Sequence, residues 1–160
     1  MAIKYSDEEI NALLQERKPL PNDYRSRVRL RDKRGHKESE LDIQGADGNL
    51  FRLILRQSGS NPLDFSIILA ICPQERTQLF RLRRYNSRTH EHTNQLERNT
   101  LYDFHIHIAT ERYQEYGTRE DAFAEPTDRF SDFNSALRSM FEDCGFDVPQ
   151  DPQQRLFDEV

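Results

Sequence analysis

Residues 84–111 carry four of the five histidines of the chain. They form two His-x-His pairs, His90 with His92 and His105 with His107, about a dozen residues apart. Imidazole groups titrate near neutral pH, so they act as general acids and bases, and in the neutral form they bind transition metals. The type and spacing of these residues therefore indicate chemistry in this segment.

The second pair falls in a strand that alternation predicts over residues 102–110. Because side chains alternate across a strand, His105 and His107 point to the same side of it. The run at residues 78–86 is predicted to be the antiparallel neighbour. Its polar side adds three residues to the same surface: Arg81, Arg83 and Tyr85.

A surface of this kind is suited to phosphodiester cleavage, in which imidazoles transfer protons while guanidinium groups stabilise charge on phosphate. We expect a metal-independent ribonuclease in which His105 and His107 are the acid and base. Tyr85 would orient the substrate, and His90 and His92 would close the site from the loop. The expected phosphate-binding residues on this hairpin are Arg81, Arg83, Arg84 and Asn86.

Two other interpretations use the same histidines. In the first, His90, His92, His105 and His107 ligate zinc or another divalent transition metal as a hydrolase or metal-binding module. In the second, they are polar residues on the solvated face of an antiparallel sheet. The cysteine spacings of zinc fingers are absent from the sequence, so a structural zinc site of that type is not expected.

A basic alternating run precedes the histidines. Arg27, Arg29 and Arg31 alternate with apolar residues, which predicts a strand with positive side chains along one face. Such a row suits the phosphate backbone of a nucleic acid, and it also suits an edge strand that must resist aggregation. Both interpretations stay open.

Charge is unevenly distributed along the chain, whose formal net charge is -5. Residues 24–90 contain 14 Lys and Arg against 7 Asp and Glu, whereas residues 120–160 contain 3 against 11. This asymmetry fits a nucleic-acid surface, attraction between two halves of one fold, or a non-enzymatic interaction protein whose acidic segment binds a basic partner.

The remaining patterns predict the fold. Ser6 and Glu9 form a capping box for a helix over 7–18, and an aromatic stripe predicts a second helix over 128–143 that Thr127 caps. Alternating or apolar runs between them predict strands. We expect an α+β domain over 1–148, with a mostly antiparallel twisted sheet of about six strands, both helices on one face, and a polar tail over 149–160.

Composition limits the class of protein. At 160 residues the chain suits one core, and its sequence has neither a membrane-length apolar run nor a signal-peptide pattern. A cytoplasmic location without membrane association is the expectation. Cys72 and Cys144 have no metal-ligand spacing, so reduced structural thiols are expected.

The motif Arg84-Tyr85-Asn86, followed by His90-x-His92-Thr93-Asn94, a strand and an aromatic-rich helix, resembles the layout of TumE-type toxins of bacterial toxin and antitoxin pairs. It also resembles uncharacterised bacterial families of similar layout. The resemblance covers roughly residues 50–145 and implies an intracellular toxin with a cognate antitoxin partner. The pair His105 and His107 and the acidic end depart from this layout.

Overall fold

The structure, a computed structural model, describes residues 4–74 and 77–149 of the chain. The predicted tail beyond Pro149 lies outside the described residues. The helices are α1 (Asp7–Gln15), α2 (Tyr24–Arg27), α3 (Glu111–Tyr116) and α4 (Phe133–Asp143). The strands are β1 (Lys18–Pro19), β2 (Arg31–Lys33), β3 (His36–Gln44), β4 (Leu50–Ser58), β5 (Phe65–Cys72), β6 (Phe80–Asn86), β7 (His92–Asn94), β8 (Asn99–Leu101), β9 (His105–Ile108), β10 (Phe123–Pro126) and β11 (Phe146–Asp147).

Seven strands form one antiparallel sheet in the order β10-β9-β6-β5-β4-β3-β2. The predicted α+β fold with a mostly antiparallel sheet is confirmed. The described sheet has seven strands because β10, which the sequence pattern did not indicate, pairs with β9 at one edge. Two short pairs flank the sheet: β7 with β8, and β1 with β11.

One face of the sheet is the hydrophobic core. Leu53, Ile67 and Leu82 of adjacent strands are fully buried there, beneath side chains of both long helices such as Leu14 and Met140. Burying this apolar face removes it from water and supplies the main drive for folding. The N-terminal and C-terminal helices therefore pack on the same face, as the sequence predicts.

The ends of the helices follow local chemistry. Ser6 and Glu9 make the predicted capping box of α1. The helix ends at Gln15, earlier than predicted, and the buried Lys18 Nζ donates hydrogen bonds to the carbonyls of Leu13 and Leu14 at its end. At α4 the cap is Asp132 and not Thr127, because the Asp132 carboxylate accepts from the backbone of Ser135.

Two sequence predictions about the basic and loop regions are wrong. Residues 24–27 form α2, so the expected strand through Arg27 and Arg29 is absent and strand structure begins at Arg31. The segment after β6, predicted to be the loop that carries His90 and His92, contains the β7–β8 ribbon. None of the described helices combines the length and apolar character that a bilayer crossing needs.

Candidate functional site

The second histidine pair lies on the face of the sheet opposite the helical core. β9 places His105 opposite Asn86 and His107 opposite Arg84 of β6. Directly opposed residues in an antiparallel pair project to the same side of the sheet. A guanidinium, an amide and two imidazoles are therefore neighbours on this face.

The β7–β8 ribbon adds a third imidazole, that of His92. Its Nε2 lies 2.7 Å from the carbonyl oxygen of Ala122 and 3.0 Å from Oδ1 of Asn94. The buried Asn94 side chain also binds the backbone of Ala124 in β10, donating at 2.8 Å and accepting at 2.9 Å. These hydrogen bonds hold the ribbon against the edge of the sheet.

His92, His105 and His107 form what we call the histidine cluster. The ring centroids of His92 and His107 are 4.5 Å apart, those of His105 and His107 are 5.0 Å apart, and those of His92 and His105 are 5.8 Å apart. One ligand can therefore contact all three rings. His105 and His107 are each only 3% exposed, so they are not polar residues on a solvated face.

Backbone carbonyls fix the tautomer of each ring. Nδ1 of His105 lies 2.9 Å from the Asp103 oxygen, and Nδ1 of His107 lies 2.8 Å from the Asp121 oxygen. A carbonyl oxygen only accepts, so these nitrogens carry the protons and each Nε2 keeps a lone pair. By the same argument, the Nε2–H of His92 donates and its Nδ1 keeps the lone pair.

The backbone of Asp121 and Ala122 thus supplies consecutive carbonyls to two rings of the cluster, while the Asp121 side chain anchors the segment from below. This carboxylate is fully buried, with Arg84 Nε at 3.4 Å and Arg119 Nε at 3.5 Å. Neither contact has hydrogen-bond alignment, and within residues 4–74 and 77–149 the Asp121 oxygens and Arg84 Nε have no hydrogen-bond partner. Electrostatic attraction to the Arg84 and Arg119 guanidinium groups therefore holds the carboxylate in place.

Desolvation sets the protonation of the cluster. Burial, with smaller contributions from the nearby Arg84 guanidinium and the other imidazoles, lowers the pKa of His107 to about 2. Burial likewise lowers the pKa of His105, although its hydrogen bond to the Asp103 carbonyl opposes the shift. Both rings are therefore neutral at pH 7 in the free protein.

A cleft of about 380 Å³ opens onto the cluster. Arg84 and Arg119 contribute positive charge to its lining, and Ser66 and Asn86 contribute hydrogen-bonding groups. His90 lies at the mouth, with its side chain 81% exposed and its Nε2 3.9 Å from Asp64 Oδ1. Three of the four imidazoles of the two His-x-His pairs therefore lie together, and the fourth, that of His90, does not join the cluster.

This arrangement supports two kinds of chemistry. Neutral rings with fixed lone pairs accept protons, and a guanidinium beside them binds an anion. Lone pairs on rings oriented by backbone carbonyls are also typical of metal ligands. In the part of the chain that the structure describes, no group of three or more His, Cys, Asp or Glu side chains is arranged to hold a metal ion.

Two residues expected at the site lie on the opposite face of the sheet. Tyr85 pairs with Ile106, is fully buried in the core, and donates a hydrogen bond to Asp143 of α4. Arg83 also faces this side, with its Nη1 3.8 Å from Asp143. Neither contacts the histidine cluster, so they do not orient or bind a substrate there.

The basic run at Arg27, Arg29 and Arg31 is also remote from the cluster. β2 lies at the far edge of the sheet, and three strands separate it from β6. Neighbouring strands are about 4.8 Å apart, so roughly 19 Å lies between β2 and β6. The structure does not combine these arginines and the histidines into one surface.

The sequence interpretation missed Asp121 and Arg119. The signal for Asp121 was the opposite charge of the two parts of the chain, because several arginines of the basic part pair with acids of the acidic part. Arg81 binds Glu120 with Nη2 to Oε1 at 3.3 Å, and Arg84 faces Asp121. Attraction within one fold therefore explains part of the charge asymmetry.

Comparisons with family models, with curated proteins and with solved structures give no match for this chain. The resemblance to TumE-type toxins stays a prediction.

Proposed function

We propose that the chain cleaves RNA in the cleft over the histidine cluster. The observation that carries this proposal is the placement of three imidazoles within 5.8 Å of one another, beside the Arg84 guanidinium, at the base of one cleft. Proton transfer and charge stabilisation at phosphate are the two things that cleavage of a phosphodiester requires.

RNA suits this cleft better than other phosphodiesters because it carries its own nucleophile. A base removes the proton of the 2′-hydroxyl, the oxygen forms a bond to phosphorus, and the bond to the 5′-oxygen breaks as an acid protonates that oxygen. Each step needs only a base, an acid and a cation near the phosphate. The site must therefore provide two imidazoles in opposite protonation states.

We assign the base to His105 and the acid to His92. The neutral His105 ring is held by the Asp103 carbonyl with its Nε2 lone pair available. His92 is only half-buried, so its ring is more accessible than those of His105 and His107. As imidazolium it would donate from Nδ1, because its Nε2–H is bound to the Ala122 carbonyl. His107 is the least suited to the acid role because its pKa is about 2, and it contributes instead to the shape and polarity of the cleft floor.

A bound phosphodiester also changes the protonation of the cluster. Its negative charge favours imidazolium, and so opposes the desolvation that keeps these rings neutral. Arg84, which is already beside His107, stabilises the additional charge that builds on phosphate during the reaction. Substrate binding and protonation of the cluster are therefore coupled.

Cleavage of a fluorescent RNA oligonucleotide tests the proposal. Alanine at His105 or at His92 removes a proton-transfer group and should reduce kcat by about 10²–10⁴-fold. His36 lies in β3, outside the cleft, and His36→Ala is the matched control that keeps the wild-type rate. An oligonucleotide with one 2′-deoxynucleotide should resist cleavage at that position. Equal cleavage by wild type and His105→Ala, with both chains folded, would falsify the proposal.

A further inference from the structure

A second concave surface lies on the other side of the molecule, beside α2 and α4. This groove has a volume of about 1130 Å³, roughly three times that of the histidine cleft. Its lining includes Leu55 of β4, a residue of the helical core face, so the groove and the cleft are on opposite faces of the sheet. The proposed RNA chemistry makes no use of it.

The floor of the groove is apolar and partly open to water. Leu63 is 49% exposed and Val148 is 44% exposed, while Phe133 and Leu137 of α4 are half-buried beside them. Covering the apolar side chains of a groove with another apolar group removes them from water and lowers the free energy. The groove therefore fits a chain segment with apolar side chains.

The charged residues of the groove indicate which sign of charge a bound segment should carry. Its lining contains four exposed basic residues and two exposed acidic ones, Asp132 and Glu142. The basic residues are Arg25, Arg29, Lys37 and Arg138. A segment that combines apolar side chains with acidic ones complements both properties.

The chain itself leads into the groove. Phe146 and Val148 both line it, so the backbone follows the groove as it approaches Pro149. The sequence that continues, residues 150–160, contains two adjacent apolar residues, Leu156 and Phe157. It also contains three acidic residues against one basic residue. Leu156 follows Pro149 by seven residues, so at about 3.5 Å per residue the two can lie up to roughly 25 Å apart.

We propose that residues 150–160 dock in this groove, with Leu156 and Phe157 on the apolar floor and the acidic residues near the basic side chains. The path of the chain brings this segment to the groove, and the segment complements the groove both in apolar surface and in charge. An intramolecular segment is favoured over an external partner because its effective concentration at the groove is high.

Amide chemical shifts of the full chain test this docking. Phe157→Asp places a charge on the apolar floor and should shift the resonances of groove residues such as Leu63 and Leu137, while those of the histidine cleft stay in place. Gln154→Asp adds the same charge at a polar position, where it suits the basic side chains, and is the matched control that leaves the resonances of Leu63 and Leu137 in place. NOEs between the Phe157 ring and Leu137 methyl protons in the wild type provide the direct readout.

Each outcome decides the proposal. Groove shifts with Phe157→Asp, together with the NOEs at every protein concentration, support docking within one chain. Unchanged groove resonances overturn it. Groove shifts that appear only as the protein concentration rises, with dimers in sedimentation, also overturn it, because a second copy then occupies the groove.

Discussion

Arg83 and Arg84 are neighbours in the chain whose guanidinium groups lie on opposite faces of the sheet. Arg84 faces the histidine cleft, with its Nε 3.4 Å from Asp121, whereas Arg83 faces α4, with its Nη1 3.8 Å from Asp143. Side-chain alternation along β6 separates them. The pair therefore provides a substitution and its control at adjacent positions.

Arg84→Ala should weaken the binding of inorganic phosphate and of RNA. A charge-assisted hydrogen bond contributes about 1.5–3 kcal/mol, so we expect affinity to fall by roughly 10- to 100-fold. Isothermal titration at constant salt measures this effect. Arg83→Ala should bind phosphate like the wild type, even though loss of its contact with Tyr85 lowers the melting temperature. Equal losses of affinity in both variants would contradict the placement of phosphate in the cleft.

Stability should fall as the pH is lowered from 7.5 to 5.5. His107 is neutral in the folded protein because its pKa is about 2, and the pKa of His105 is lowered too, whereas an unfolded histidine titrates near 6.5. The unfolded state therefore binds more protons below pH 6.5, and acid favours it. Linkage gives about 1 kcal/mol lost per buried histidine over this interval.

Urea unfolding at the two pH values measures this loss. His107→Gln, if it folds, should reduce the pH dependence by about half, since one of the two buried rings is gone. His90→Gln alters an exposed ring and should leave the pH dependence as it is in the wild type. A free energy of unfolding that is the same at pH 7.5 and 5.5 would show that the rings are not buried in neutral form.

The proposed cleavage should continue in EDTA. The 2′-hydroxyl of RNA supplies the nucleophile, so the acid and base of the cluster need no metal-bound water. Cleavage rates before and after dialysis against EDTA, with elemental analysis of the same sample, provide the measurement. Stoichiometric zinc, manganese or nickel, together with loss of cleavage on dialysis and its recovery with that metal, would favour the metal-binding interpretation of the histidines.

Sequence patterns predicted the fold class well because both long helices and the central strands have strong periodicity. The capping box at Ser6 and the apolar run of β5 are local signals, and both have the predicted structure. β10 was missed because Phe123–Pro126 is short and ends in proline, so its sequence alone does not predict a strand. Its strand structure depends on pairing with β9.

The candidate site was only partly predictable, and strand register explains why. Alternation correctly puts His105 and His107 on one face, but it cannot show which residues of β6 lie beside them. A register shift between Leu69 and Ala70 puts Arg81 and Arg84 on the same side of the sheet as Asp121, while Tyr85 turns to the core. A displacement of one residue reverses the face of every side chain that follows, and no local pattern reveals it.

Asp121→Asn should destabilise the protein more than the same change of carboxylate to amide at the neighbouring Glu120. Its carboxylate is fully buried near Arg84 and Arg119, and removal of one member of a buried charge group costs about 3–5 kcal/mol. Loss of this anchor also frees the backbone carbonyls that orient His92 and His107. Glu120→Gln is the control: its carboxylate binds Arg81 at the surface side of the same segment and is 16% exposed, so a smaller loss is expected. Urea unfolding measures both variants, and an Asp121→Asn protein as stable as the Glu120→Gln protein would contradict the role of Asp121 as the anchor of the cluster.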